Sequence, residues 1–174
     1  MSVVINGSAG VTTNSGAVYD GIQRGTAVAS TSGTSIDFTS IPSWVRRITV
    51  MFNGVSTNGT SNLQVQLGSG SPTTSGYLGS SIASTAAGNS AATSTTGFVV
   101  LSGVATYLFN GIGVFTNLTG NTWVGSINVG QSDTARVSSV YASIALAGTL
   151  DRVRITTVNG TDTFDAGSIN ILYE

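Results

Sequence analysis

This chain contains no cysteine, no histidine and no lysine. Without cysteine there are no disulfides and no thiolate metal sites. Without histidine the commonest general base and metal ligand is missing, so neither a Ser-His-Asp nor a Cys-His catalytic arrangement can be built from this chain alone. Without lysine there is no phosphate-cradling glycine loop of the GK[ST] kind. Charge is scarce throughout, with six arginines against seven acids and a net charge of −1. No basic stripe exists to neutralise phosphates, which argues against a nucleic-acid partner. No apolar run approaches the length of a membrane span. The opening "MSVVINGSAG" has neither a basic region nor an apolar run of signal length, so no export signal is expected.

What fills the chain instead is Ser (25), Thr (25) and Gly (23), out of 174 residues. Such enrichment can mean disorder, but disordered chains are poor in apolar residues and rich in charge. Here 40% of residues are hydrophobic, led by 19 Val and 12 Ile. β-branched residues suit pleated surfaces, and a chain of this length can bury a core of its own. Asn-Gly, a hairpin-turn dipeptide, recurs at 6–7, 53–54, 58–59, 110–111 and 159–160. Between the turns, strands are predicted near 26–30, 35–39, 45–55, 62–68, 77–84, 97–102, 107–115, 122–130, 137–147, 150–158 and 167–173. Alternation places Trp123, Ile127 and Val129 on one face, Val153 and Ile155 on another, and Ile169, Ile171 and Tyr173 on a third. The expectation is an all-β protein, an antiparallel β-sandwich or barrel. Residues 1–24 read as an extended N-terminal arm or linker and 25–174 as the β domain. Residues 57–62 and 85–97 read as surface loops.

Few residues could carry chemistry. The acids are scattered, mostly in loops, strand ends and termini. Asp162 and Asp165 in "NGTDTFDAGS" suit turn capping better than acid/base work. The same loop could offer oxygens to calcium but lacks the carboxylate spacing of a calcium loop. No catalytic residue, metal ligand or cofactor is expected. The four Asn-X-Ser/Thr sequons, at Asn6, Asn58, Asn117 and Asn159, are the chance product of this composition. Exposed aromatics with a polar rim can bind sugars. Trp44, at a strand entry, and Tyr77, after a Gly-rich loop, are the candidates, though Trp44 suits the core better than the surface and Tyr77 suits either. Loops carry ligand sites on rigid scaffolds, so the ligand site is placed on loop 68–76 with Tyr77, and on loop 56–62 with Asn58 and Thr60.

The arginines raise a separate question. "IPSWVRRITVMFNGVS" puts Arg46 on the apolar face of a core strand and Arg47 on the more polar one. "LDRVRITT" repeats the chemistry with Arg152 and Arg154. Arg46 is expected to lay its methylenes along the core edge. Arg47 and one of Arg152 or Arg154 either face a neighbouring subunit, meeting an acid such as Asp37, or form pairs within the chain.

"GTAVASTSGTSIDFTSIPSWVRRITVMFNGVST" and the closing "LDRVRITTVNGTDTFDAGSINILYE" together resemble modules of bacteriophage and prophage tail-fibre and related virion proteins. "VVINGSAGVTTNSG" resembles short segments of phage fibre proteins. The resemblance implies a jelly-roll-like β-sandwich, a homotrimer, and a place in the virion after synthesis in the bacterial host cytoplasm. It also implies contact with other virion proteins and with a host cell-surface glycan or receptor. It supplies no fixed receptor residues. A structural virion protein without a host ligand, such as a capsid decoration or fibre-anchoring protein, is the alternative. A polysaccharide-degrading enzyme is a third reading, although tailspike-type enzymes need a long solenoid and no repeat is present.

Overall fold

In the computed structural model the described residues are Val3–Asn6, Gly10–Thr13 and 21–174. Half of the expected N-terminal arm, residues 1–2, 7–9 and 14–20, therefore lies outside the described residues. Within it, β1 (Val3–Asn6) and β2 (Gly10–Thr13) pair antiparallel. The other strands are β3 (Gln23–Arg24), β4 (Val28–Ala29), β5 (Ser35–Phe38), β6 (Arg47–Thr57), β7 (Leu63–Ser69), β8 (Ser71–Pro72), β9 (Leu78–Thr85) and β10 (Gly88–Ser94). They are followed by β11 (Phe98–Val100), β12 (Phe109–Thr119), β13 (Thr122–Gln131), β14 (Arg136–Ala145), β15 (Arg152–Thr157) and β16 (Phe164–Tyr173). Each of the eleven expected strands has a counterpart.

Two antiparallel sheets form the sandwich. The larger has nine strands, in the order β10-β9-β14-β13-β12-β6-β16-β3, with β4 also on β16. The smaller has five, in the order β11-β7-β15-β5, with β8 on β7. The chain crosses between sheets from β5 to β6, to β7, to the β9–β10 hairpin, to β11, to the β12–β14 meander, to β15 and finally to β16. That is jelly-roll winding. The meander occupies the place of one strand, and β16 is added beyond β6. The pairing of Gln23–Arg24 with Tyr173 and Leu172 carries the sandwich two residues into the stretch read as an arm.

Alternation explains the core. Ile48, Val50 and Phe52 of β6 and Ile127 and Val129 of β13 point inward with Trp123. They meet Val153 and Ile155 of β15 and Val65 and Leu67 of β7 from the other sheet. At the centre the Phe98 and Phe115 rings stand edge to face, with centroids 4.7 Å apart. Gly125 of β13 lies against them, and a Cβ there would come 2.6 Å from Phe115 Cδ1. β16 bulges between Ala166 and Ser168. Gly167 takes φ +88° at this bulge, against the carbonyls of Asn53 and Gly54. Only glycine combines that angle with so close an approach.

One expected loop is corrected. Residues 88–94, inside the 85–97 stretch, form strand β10, paired along its whole length with β9. Its residues are small and exposed, so no apolar alternation marked it in the sequence. A second feature hidden from pattern reading is β7, buried on both faces although its sequence alternates. Gln64 and Gln66 point away from the core, but the segment after β10 covers them. Gln66 donates to the Thr96 carbonyl at 2.9 Å, and Gln64 accepts from the Thr96 hydroxyl at 3.1 Å.

Candidate ligand site at one end of the sandwich

The strand directions bring the β5–β6 loop, the β12–β13 turn and the β14–β15 loop to the same end of the sandwich. Between them lies an open depression of about 260 Å³. Ser43, Arg46, Asn117, Asn121 and Thr149 supply its polar lining, over an apolar floor that includes Val45, Leu150 and Trp123. The turn is built by Asn117, whose side-chain amide donates to the carbonyls of Gly120 at 2.9 Å and Thr122 at 3.2 Å. The Asn121 carbonyl accepts from Leu146 N, which ties the β12–β13 turn to the β14–β15 loop. Ile41 N donates to the Asp151 carbonyl and closes the third side.

The paired arginines of the core strand are resolved here. Arg46 Nη1 donates to the carbonyls of Ser43 at 3.0 Å and Val45 at 2.9 Å, so it staples the loop that leads into β6. Only one of its nitrogens is used in this anchoring. Arg47 projects on the outer face and pairs with Glu174, Nη1 to Oε1, at 3.0 Å. Trp44 lies between two residues of the depression and is 46% exposed. Its ring leans on Tyr173, with centroids 6.0 Å apart. A half-exposed indole held by a neighbouring ring, beside a depression lined with amides, hydroxyls and a guanidinium, can stack on a pyranose while its hydroxyls are hydrogen-bonded.

The other sequence candidates fall elsewhere. Tyr77 is fully buried, its ring edge-on to Phe98 at 5.7 Å and its hydroxyl bonded to Leu67. It belongs to the core and cannot touch a ligand at the surface; its loop position misled because the chain turns inward before β9. Asn58 and Thr60 are at the opposite end of the sandwich. Asn58 is a tie between loops: its N donates to the Thr163 carbonyl and its Oδ1 accepts from Thr163 N, both at 2.9 Å. Thr60 stands exposed beside it. Asp162 holds this end together, accepting from Ser61 N at 2.9 Å and from Asn159 Nδ2 at 2.6 Å. It caps a neighbouring loop rather than only its own turn. Trp44 is thus the one expected ligand residue beside the depression. Arg46, Asn117, Asn121 and Thr149 were not expected there. The polar turn "NLTGN" was the available signal, but nothing in it says which loops it will face.

The expected interface residues are engaged within the chain. Arg154 makes a two-pronged pair with Asp37, Nε to Oδ1 at 2.7 Å and Nη2 to Oδ2 at 2.9 Å. Arg152 pairs with the adjacent Asp151, Nε to Oδ1 at 2.8 Å. The Asp151 carboxylate also accepts from Gly70 N at 3.1 Å, which pins the β7–β8 turn. The hydrogen bond from Arg152, aided by Gly70 N, holds the Asp151 carboxyl below its ordinary range. Intrachain pairing, one of the two expected arrangements, is what these residues adopt. Among the described residues no three of His, Cys, Asp and Glu gather into a metal-binding group. No protein-family model, curated protein or solved structure matches this chain.

Proposed function

We propose that this chain is a non-enzymatic attachment module of a bacteriophage virion, of the tail-fibre or receptor-binding kind, which takes a host-surface glycan at the depression beside Trp44. The observation that carries the reading is that depression: an open, amide- and hydroxyl-lined hollow on loops fixed by a rigid sandwich, with the exposed indole of Trp44 next in the chain to its lining residues Ser43 and Val45. The jelly roll recurs in viral capsid proteins and lectins, though a fold by itself does not assign a function. The resemblance of residues 25–56 and 150–174 to phage fibre modules supports the virion setting, and with it a homotrimer and contact with other virion proteins.

The test is whether the pure protein blocks phage adsorption to a bacterial host and binds that host's isolated surface polysaccharide. Trp44→Ala and Asn121→Ala are expected to weaken binding about tenfold or more, the equivalent of about 1.4 kcal/mol, with little change in melting temperature. Wild-type protein that neither blocks adsorption nor binds the polysaccharide would overturn the attachment reading. Binding unchanged in both variants would overturn the site.

A further inference from the structure

The outer face of the larger sheet carries a feature that neither the fold nor the depression requires. Along β10, β9, β14, β13 and β12 the outward positions include Asn89, Ala91 and Thr93, then Leu78, Ser80 and Ile82, then Val137, Ser139 and Tyr141, then Val124, Ser126 and Asn128, then Ile112, Val114 and Thr116. No outward position on these five strands is charged. Large apolar side chains stand in solvent: Leu78 is 77% exposed, Tyr141 58% and Val137 58%, with Ile112, Ile82 and Val124 also open. They are not scattered at random. Tyr141 faces Ser80 on one side and Ser126 on the other. Its diagonal neighbours therefore include Leu78 and Ile82 of β9 and Val124 of β13, within about 7–8 Å. In its exposed tyrosine and its lack of charge the face matches an interface centre, where aromatics are enriched and charge is depleted.

We infer that this face docks a second copy of this chain, with Tyr141 as its anchor. Size and charge both favour that occupant. Five strands at about 4.8 Å spacing, each about eight residues of 3.4 Å, span roughly 650 Å². Stable complexes bury about 600–1,000 Å² per partner. A face without charge cannot attract a charged partner by complementarity, but it lies against an uncharged part of the next copy around a threefold axis without repulsion or stranded ions. Serine and threonine between the aliphatics supply donors and acceptors that match their own kind. The inference deepens the proposed homo-oligomer by naming its surface, and it leaves the ligand depression at the end of the sandwich open.

Sedimentation velocity across about 0.1–100 μM, a range that brackets micromolar association, tests it on the full chain. The variants are Tyr141→Arg and Ile82→Glu, both at exposed positions, with Val158→Arg outside this face as a control. Wild type and the control are expected to assemble. Each face variant is expected to weaken assembly about a hundredfold while its melting transition stays cooperative. If wild type is monomeric across the whole range, self-association fails, and the proposed homo-oligomer fails with it. If wild type assembles and the face variants assemble within threefold of it, the oligomer stands but this face is not its interface. A face variant that does not fold is replaced by Tyr141→Ser, for which the same two results hold.

Discussion

Replacing Tyr77 by phenylalanine removes one oxygen from the centre of the protein. β11 pairs with β7 no further than Val65, and β8 joins it only at Gly68. Between them the edge of β7 at Leu67 has no partner strand. The Tyr77 hydroxyl fills the gap: Leu67 N donates to it at 2.9 Å, and it donates to the Leu67 carbonyl at 3.3 Å. In the variant the carbonyl keeps Thr73 N at 2.9 Å, but the Leu67 N–H is left buried without an acceptor. An orphaned donor of this kind costs about 1–3 kcal/mol. The ring and its contact with Phe98 remain, so no cavity term is added. For a domain of this size each kcal/mol moves the melting temperature by about 2–4 °C, so the expected drop is about 2–12 °C.

The alkaline limb gives an independent check. Burial pushes the Tyr77 phenol above its ordinary range, outweighing the Leu67 hydrogen bond that lowers it. The neutral form is therefore favoured in the fold. Its stabilisation is whole below about pH 10 and declines above it, because the unfolded chain releases the proton first. Wild type is expected to lose about 1.4 kcal/mol per pH unit there through this group alone. The Tyr77→Phe variant has no such proton to release, so the two stability curves converge as pH rises. Calorimetry and urea unfolding at neutral and alkaline pH read both effects. A melting temperature unchanged within a degree, or curves that stay parallel above pH 10, would refute the role assigned to this hydroxyl.

Three further outcomes follow from the packing. Gly125→Ala drives a methyl into Phe115 and Phe98 and is expected to cost about 1–3 kcal/mol by overpacking, while Ser126→Ala on the opposite face is close to neutral in urea unfolding. Asp162→Ala frees Ser61 N and Asn159, with an expected loss of about 1 kcal/mol and faster amide exchange confined to loops 57–62 and 158–163. With no histidine or cysteine to titrate, stability is expected to be flat from about pH 5 to 9; Asp151, whose folded pKa is depressed, contributes stability above the ordinary carboxylate range that is lost as pH falls through it. Thermal melts of Asp151→Asn should therefore show a shallower acid decline than wild type.

How much of this was legible depended on what carried the signal. Strands with large residues at alternate positions, such as β6, β13, β15 and β16, announce both their existence and their buried face. β10 does not, because "GNSAATS" has small residues on both sides and its pairing with β9 comes from the backbone. The two-sided burial of β7 was equally hidden, since Gln64 and Gln66 read as solvent-facing until the Thr96 segment is laid over them. Single residues fared according to their surroundings. Trp123 alternates with Ile127 and went to the core as expected. Trp44, read at a strand entry and in step with Ile48, Val50 and Phe52, stands exposed because β6 begins only at Arg47 and the loop before it breaks that step, whereas Tyr77, after a Gly-rich loop, went to the core. The depression joins three loops distant in sequence, and a pattern along one strand cannot show which loops topology will gather.

The placement of charge ties these observations together. A chain with six arginines uses at least four as hydrogen-bond connectors. Arg46 holds loop carbonyls, Arg47 holds Glu174, Arg152 holds Asp151 and Arg154 holds Asp37. None of these pairs lies on β9 to β14, which leaves that face neutral. The Arg154–Asp37 pair is the best formed of them, and it joins β15 to β5 in the smaller sheet. Its strength is nonetheless limited. Both side chains are about one-third exposed, so water screens the charge and competes for the donors. A pair so placed is worth about 0–1 kcal/mol. A double-mutant cycle of Arg154→Ala with Asp37→Ala is expected to give a coupling energy in that range. Assembly is expected to be unchanged, since the pair lies on the sheet opposite Tyr141. A coupling above about 2 kcal/mol would mean that the pair is desolvated by something packed over it. Together with lost assembly, it would move the subunit interface to the smaller sheet.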